Sequence, residues 1–197
     1  MIIGRRGFLI SGASLVLAAC AGKPPPDPPS APKITFAHRP KLVFGVGLVD
    51  IQQPFVSPGR PPNVEHLLPN TPAQVAERWA RDRVAADGSS GFVRYSILDA
   101  SIVANTLETD KSLSGFFKNQ NDVRYDGRIQ VRIDVQSDAG TGFAEGIVTR
   151  SQTATEELSL NERDLLLIEF VEGMGRDLDL RLENEIRASL TRFLLPG

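Results

Sequence analysis

Apolar and polar side chains alternate with two different periods along this chain, and these periods divide it into strands and helices. The clearest period of two covers residues 123–135, where the odd-numbered side chains are nearly all apolar and the even-numbered ones are polar or charged. This alternation predicts an antiparallel strand with one buried face and one wet face. The turn residues at 137–141 then predict a hairpin that returns as a strand over residues 142–153.

Two apolar runs precede this hairpin. Residues 41–51 are rich in β-forming side chains and predict a core strand. Residues 91–105 predict a longer strand in which the parity of the apolar positions changes between Ile97 and Ala100. A bulge near Asp99 would reconcile the two halves, because one extra residue moves every later side chain to the other face.

The first helical segment opens with a complete N-terminal signal. Thr71 is a suitable N-cap, Pro72 fits the first turn, and Gln74 is the reciprocal member of a capping box. The segment is expected to end at residues 87–88. Trp79 lies on the apolar stripe of this helix, so we expect it to be a core anchor rather than a platform for a ligand.

A second capping box, formed by Ser159 and Glu162, opens a long helix near the C-terminus. Apolar side chains recur along this helix at spacings of three or four, namely Ile168, Val171, Met174, Leu178, Leu182, Ile186, Leu190 and Phe193. The helix is expected to lie across the sheet. The element order β-α-β-β-β-α predicts an α+β fold: a mostly antiparallel four-stranded sheet with two helices on one face, in a single domain over residues 41–197.

The chain begins with the layout of a secretory signal peptide. Arg5 and Arg6 give it a basic start, an apolar run occupies residues 8–19, and the small residues Ala18 and Ala19 precede Cys20. The apolar run is shorter than the roughly 20 residues that a membrane-spanning helix needs. Residues 1–19 are therefore predicted to be a signal peptide and not a permanent membrane span.

The motif Leu17-Ala18-Ala19-Cys20 resembles the lipobox of bacterial lipoproteins at all four positions. The resemblance implies that Cys20 is the lipidation site: its thiol is diacylated, the signal is cleaved before it, and the new amino terminus is acylated with a fatty acid such as palmitate. Two or more acyl chains hold a protein stably at a membrane, whereas one chain does so only marginally. We therefore expect a lipid-anchored protein.

The export route and the target membrane depend on the residues around these motifs. Arg5-Arg6-Gly7-Phe8-Leu9 resembles the twin-arginine export motif, but Gly4 and Ile10 depart from it, so general secretion and twin-arginine export both remain open. Ala21 follows the cysteine in place of the Asp that retains lipoproteins in the inner membrane of Gram-negative bacteria. The resemblance thus implies anchoring in the outer membrane, facing the periplasm.

Residues 20–40 are predicted to be a lipidated tether. Prolines are dense there, at Pro24, Pro25, Pro26, Pro28, Pro29, Pro32 and Pro40. Proline disfavours helix and sheet and favours the extended polyproline II conformation. The tether either carries the domain to a distant partner or serves as a spacer without a specific reach.

Charge and composition exclude several classes of function. The chain has 22 Lys and Arg against 24 Asp and Glu, which disfavours nucleic acid as a partner. Its single cysteine cannot form an internal disulfide, and His38 and His66 lack the spacing of metal ligands. Neither a nucleophile elbow nor a phosphate-binding loop occurs. We therefore predict a non-enzymatic protein without a metal or a cofactor.

Two loops are candidate contact surfaces. Residues 52–70 form a proline-rich segment that is too long for a simple connector, and it either binds a partner or packs over the sheet edge. Residues 110–122 hold Phe116 and Phe117 among polar side chains. Adjacent phenylalanines in a polar loop either fold back onto the domain or bind a partner, so Phe116 and Phe117 are the candidate partner-binding residues.

The element order and the lipobox together are similar to those of small envelope lipoproteins, the auxiliary lipoprotein of ABC-type lipid-transport systems and the lipopolysaccharide-assembly lipoprotein. The resemblance covers residues 41–195 as a pattern of elements. It implies a non-enzymatic adaptor in an envelope assembly or lipid-transport complex. The alternative is a periplasm-facing carrier of a lipid or another apolar ligand. An adaptor should be packed solid, whereas a carrier needs an apolar pocket of roughly several hundred cubic ångströms between helix and sheet.

Overall fold

The computed structural model describes residues 34–107, 122–155 and 157–196. The elements in chain order are β1 (Leu42–Phe44), β2 (Leu48–Gln52), α1 (Pro72–Arg83), β3 (Val84–Ala86), β4 (Phe92–Thr106), β5 (Val123–Ser137), β6 (Gly140–Ala154) and α2 (Leu160–Ser189). Short 3-10 turns occupy Glu65–Leu67 and Thr191–Phe193. Among the described residues, no helix combines the length and the apolarity needed to cross a membrane.

The described strands form two sheets. The main sheet has the order β2-β4-β5-β6, and β1 pairs with β3 in a separate two-stranded sheet. The α+β class is confirmed, but the main sheet is mixed: β2 runs parallel to β4, whereas the β4–β5 and β5–β6 pairs are antiparallel. The predicted order β-α-β-β-β-α is wrong, because the first predicted strand is two strands, β1 and β2, and the end of the first predicted helix is the strand β3.

The first predicted strand, residues 41–51, is in fact β1 and β2, and the chain changes sheet between them. Gly45 donates its backbone N–H to the Phe193 carbonyl at 2.8 Å, and Gly47 donates to the Gly91 carbonyl at 3.1 Å. A Cβ on Gly47 would lie 2.5 Å from the Ser89 carbonyl oxygen. A continuous strand is excluded because these two residues bond to different parts of the chain.

The first helix ends earlier than predicted. α1 stops at Arg83, and Val84–Ala86 form β3 in parallel register with β1, with Val84 opposite Leu42. The capping boxes of both helices are confirmed, with the Thr71 hydroxyl accepting from the Gln74 N–H and the Ser159 hydroxyl accepting from the Glu162 N–H. Val84 is β-branched and favours an extended backbone, so the helix ends before it and Val84 pairs with Leu42 of β1.

The two long strands and their hairpin agree with the sequence pattern. The register of β4 against β5 shifts between Ile97 and Asp99, which confirms the predicted bulge. Val93, Tyr95 and Ile97 before the shift, and Ala100 after it, are fully buried. The bulge therefore keeps apolar side chains on one face along the whole of β4.

Both helices lie on that same face of the main sheet. Trp79 of α1 is fully buried and stacks on Tyr95 of β4 with ring centroids 5.8 Å apart. α2 covers β5 and β6, where its side chains contact Gly127 and Gly146, and Phe193 of the 3-10 turn after it contacts Gly142. The predicted burial of Trp79 as a core anchor is confirmed.

The long loop after β2 continues the edge of the sheet. Phe55 donates its N–H to the Ile97 carbonyl at 3.1 Å, and Val64 donates to the Ile102 carbonyl at 2.9 Å. Ala104 donates to the Pro62 carbonyl at 2.9 Å. The loop thus packs along β4 beyond the end of β2, which is the second of the two roles that the sequence left open.

Candidate functional site

The face of the main sheet opposite the helices carries the candidate site, and we call it the open face. Its positions follow from the register, which places Asp50, Arg94, Asp134 and Phe143 in one row across the four strands and Gln52, Ser96, Arg132 and Glu145 in the next. Further along β5 and β6 the row of Gln130 and Ile147 follows. Alternation along each strand directs these side chains away from the helices.

The charged side chains of the open face are paired with one another. Arg94 lies 2.8 Å from Asp50, and Arg132 lies 2.9 Å from Asp134. The same pattern continues along the face with the pairs Arg128–Asp99 at 3.2 Å and Arg124–Asp126 at 2.9 Å, and with Gln130 donating to Glu145. Half-exposed ion pairs add little stability, but this network fixes where each charge lies.

The balance of these charges bears on the kind of partner. The strands place four arginines on the open face, Arg94, Arg124, Arg128 and Arg132, against the five carboxylates Asp50, Asp99, Asp126, Asp134 and Glu145. The net charge of the face is therefore −1. Nucleic acids and anionic membranes attract clustered basic side chains. A nearly neutral face of alternating sign suits neither of them.

Exposed apolar side chains lie between the charges. The exposed fractions of Leu48, Phe143 and Ile147 are 53%, 56% and 42%. The Arg132 guanidinium lies over the Phe143 ring at 4.4 Å, and an open depression of 630 Å³ adjoins both side chains. Aromatic and Arg side chains amid polar ones are typical of protein–protein interfaces.

The space between α2 and the sheet is filled. A Cβ on Gly127 would lie 2.6 Å from Met174 Sδ, and a Cβ on Gly146 would lie 2.5 Å from Leu182 Cδ2. At Gly142 the corresponding distance to Phe193 Cε2 is 2.6 Å. Side chains of α2 at two points, and Phe193 of the 3-10 turn after it at a third, therefore rest directly on the strand backbone. This contact leaves no room there for a lipid.

A buried charge cluster joins α1, α2 and the segment before β1. Arg83 Nη2 donates to Glu183 Oε2 at 2.5 Å, and Arg83 Nε lies 3.2 Å from Asp179 Oδ1. Trp79 Nε1 donates to the same Asp179 oxygen at 2.8 Å. Arg39 Nη2 donates to Glu183 Oε2 at 2.8 Å. Both carboxylates are thus engaged by several donors, so the cluster ties elements together rather than offering a reactive group.

This cluster lowers the pKa of the Glu183 carboxyl. Burial alone would raise the pKa of this carboxyl, but the hydrogen bonds from Arg187 and Arg39 and the charge of Arg83 hold it below its usual value. The ionised form is therefore the one that the fold stabilises.

Glu65 fastens the long loop to β4. Its side chain is buried and accepts hydrogen bonds from the Ser57 hydroxyl, from Asn63 Nδ2 at 3.3 Å and from the Ile102 N–H at 3.1 Å. Burial raises the pKa of Glu65, but these hydrogen bonds outweigh it and hold the pKa below its usual value. The ionised carboxylate is therefore the form that holds the loop.

Glu65→Gln is expected to lower the free energy of unfolding by about 1–3 kcal/mol at neutral pH, because an amide cannot accept all three hydrogen bonds. A carboxyl with a lowered pKa contributes stability above its unfolded pKa, and this contribution is lost as the pH falls through the folded value. The two chains should therefore converge below pH 4.5, the ordinary value of this group. Urea unfolding at a series of pH values measures the difference, with the surface change Glu77→Gln as the control. A gap that stays constant down to acid pH would contradict the assignment.

The structure does not test the site residues that the sequence predicts. Cys20, Phe116 and Phe117 lie outside the described residues, and their roles stay predictions. His38 and His66 are both exposed. Within residues 34–107, 122–155 and 157–196, no three His, Cys, Asp or Glu side chains are grouped as metal ligands would be.

Sequence reasoning identified the wet face of β5 but missed the exposed apolar positions of β6. Phe143 and Ile147 alternate with the buried Ala144 and Val148, so their parity was the available signal.

The sequence matches no family model and no curated protein. Among solved structures, the chain is similar to the crystal structure of the rare lipoprotein B from Shewanella oneidensis. The sequences are 14% identical, the similarity covers 72% of this chain and 98% of that chain, and the TM-score is 0.33. At this identity and TM-score, the function of one protein does not transfer to the other.

Proposed function

We propose that this chain is a lipid-anchored, non-enzymatic adaptor of the bacterial cell envelope, which binds a protein of an envelope assembly or lipid-transport complex through its open face. Cys20 is its anchor, and the outer membrane facing the periplasm is its location. The anchor rests on the lipobox, and labelled palmitate that is incorporated by the natural chain but not by Cys20→Ser tests it. The absence of catalytic motifs from the sequence supports a role without chemistry.

The observation that carries the proposal is the uncovered open face. In the described part of the chain both helices pack on the opposite face, while Leu48, Phe143 and Ile147 stay largely exposed among paired charges. Exposed apolar side chains within a polar rim mark interaction sites. A partner with a flat, mixed surface would bury these side chains, and the charges around them are already paired with neighbouring side chains, four of the five carboxylates with an arginine.

The carrier alternative has less support in the geometry. Its ligand was expected between helix and sheet, where α2 rests directly on Gly127 and Gly146, and Phe193 rests on Gly142. Apolar space occurs instead in a surface groove of 390 Å³ between residues 34–39 and α2, lined by Ile34, Phe36 and Leu180 among others. A groove of this volume is at the small end of ligand sites.

Site-specific photocrosslinking in cells separates the two functions. A photoreactive amino acid at Phe143 on the open face should give one discrete adduct with an envelope protein. The matched control is Leu180 on α2, whose exposed fraction of 59% is close to the 56% of Phe143, but which lines the groove. The control should give no protein adduct. A lipid adduct at Leu180 together with no adduct at Phe143 would favour the carrier and contradict the adaptor.

A further inference from the structure

The two edges of the main sheet differ in their backbone hydrogen bonding. On the outer side of β4, β2 pairs with residues 92–96, and the long loop continues the hydrogen bonding at Ile102 and Ala104. At the other edge β6 is the outermost strand, and within the described ranges it pairs only with β5. β6 therefore presents a free edge along 15 residues.

The register shows which backbone groups are free. The turn between β5 and β6 has two residues, so Ser137 and Gly140 form the hydrogen-bonded pair that closes it. Hydrogen-bonded and non-hydrogen-bonded pairs alternate along an antiparallel ladder. The even-numbered residues of β6 therefore bond to β5. The N–H and C=O groups directed at the edge belong to Thr141, Phe143, Glu145, Ile147, Thr149, Ser151 and Thr153. Two of these carbonyls are already engaged: that of Thr141 accepts from Arg192 Nη2 at 2.6 Å, and that of Thr153 accepts from Gln152 Nε2 at 3.2 Å.

This edge lacks four of the devices that keep edge strands from pairing, although it carries the charged side chains Glu145 and Arg150. Proteins protect such strands with proline, lysine, bulges or short length. β6 is long, its sequence GTGFAEGIVTRSQTA contains neither proline nor lysine, and its register with β5 is continuous from Gly140 to Ala154. Among the described residues no strand or loop pairs with this edge, so it is available to a partner strand.

We propose that β6 pairs in antiparallel orientation with β6 of a second copy of this chain, so that two main sheets join into one. A two-fold axis through the midpoint of β6 sets Ile147 opposite its own copy, and this is the register that pairs every residue of the strand. Ile147 is exposed on the open face, and the axis brings two such side chains into cross-strand contact. The joined sheet extends the open face across both copies.

The charges beside the edge fit a second copy. On the helix side, Arg150 of β6 lies 3.0 Å from Asp177 of α2, and Arg181 lies 3.0 Å from Glu185. A two-fold axis places a surface against itself, where a single sign of charge would repel. These two ion pairs are neutral within each copy, and Arg192 at the Thr141 carbonyl and Glu145 on the open face add one charge of each sign, so no single sign dominates. The edge is therefore self-complementary in backbone, in side-chain contact and in charge.

The experiment uses the full chain with Cys20→Ser, in which no cysteine remains. Light scattering after size exclusion should give twice the 21.4 kDa of one chain. Thr149→Pro removes an N–H that points at the free edge and not at β5. The two-fold axis places this N–H in the interface twice, so two intermolecular hydrogen bonds are lost. The dissociation constant of the dimer should therefore rise about tenfold or more. Thr149→Val keeps the N–H and the β-branched shape, and it should dimerise like the parent.

A disulfide test fixes the register and does not depend on the proline variant folding. Ile147→Cys, added to Cys20→Ser, should form an interchain disulfide readily, because opposed Cα atoms in such a pair are about 5.5 Å apart. Thr141→Cys lies on the same strand and face, but in this register it is about 40 Å from its own copy and should stay reduced.

The proposal is wrong if the chain is monomeric at high micromolar concentration. It is also wrong if Thr149→Pro, with an unchanged melting temperature, dimerises as tightly as Thr149→Val. Equal disulfide formation at positions 141 and 147 would likewise overturn the register. If the edge instead pairs with a strand of another protein, this chain should be monomeric by itself, and position 147 should crosslink only to that protein.

Discussion

Replacing Arg83 by methionine is expected to lower the free energy of unfolding by about 3–5 kcal/mol, the usual cost of removing one partner from a buried ion pair. The Arg83 side chain is 1% exposed. It serves both Asp179 and Glu183, and it also donates to the Pro40 carbonyl. Methionine fills similar volume and is a good helix former, so the loss comes from the buried groups left without their donor. Urea unfolding followed by fluorescence of Trp79, the single tryptophan, measures it.

Arg81→Met is the matched control on the same helix. The Arg81 side chain is 65% exposed and pairs with Glu77 one turn away. Exposed pairs of this kind contribute about 0–1 kcal/mol. Arg83→Met leaves Glu183 with Arg39 and Arg187, and a double-mutant cycle of Arg83→Met with Glu183→Gln should give a nonzero coupling energy, because the two side chains are in direct contact. Equal losses from Arg81→Met and Arg83→Met would show that the cluster does not hold α1 and α2 together.

The features of the fold that were predicted correctly are those that a short stretch of sequence determines. The capping boxes at Thr71 and Ser159 need residues three apart, and the bulge near Asp99 follows from a change of parity within one strand. The buried face of β5 follows from its alternation, with Ile129, Val131 and Ile133 all fully buried. Each of these signals is local, so no knowledge of the rest of the chain was needed.

The features that were missed depend on segments distant in the chain. Arg83 follows Arg81 in a polar stretch, and its burial depends on Glu183, which lies 100 residues later. The break between β1 and β2 depends on the carbonyl of Ser89, which no local pattern around Gly47 indicates. Phe36 is a buried core residue, although it precedes Pro40, where the sequence placed only a tether.

The candidate site was predictable only in part for the same reason. The polar face of β5 was evident from the alternation of its arginines and aspartates with apolar residues. That this face is left open by the helices also follows from the predicted placement of both helices on one face of the sheet. The pairing of Arg94 with Asp50 also needs the parallel β2–β4 contact, and the mixed sheet had not been predicted.

Gly91→Ala is expected to be the most damaging small substitution in the described chain. Gly91 has φ +92°, and a Cβ there would lie 2.0 Å from the Gln136 carbonyl oxygen. A left-handed backbone costs an ordinary residue about 1–2 kcal/mol. The clash adds to this cost because the opposing atom belongs to the backbone of β5 and cannot rotate away.

Gly88 provides the matched control for this change. It has φ +88°, and no atom lies within 4 Å of the position that its Cβ would take. Gly88→Ala should therefore cost only the backbone strain of about 1–2 kcal/mol, whereas Gly91→Ala should cost about 4 kcal/mol or more. Both glycines have a left-handed backbone, so the difference between the two losses of unfolding free energy measures the clash of the Gly91 Cβ with the end of β5. Denaturant unfolding monitored by Trp79 gives both values, and equal losses would mean that the β4–β5 contact at Gly91 yields without cost.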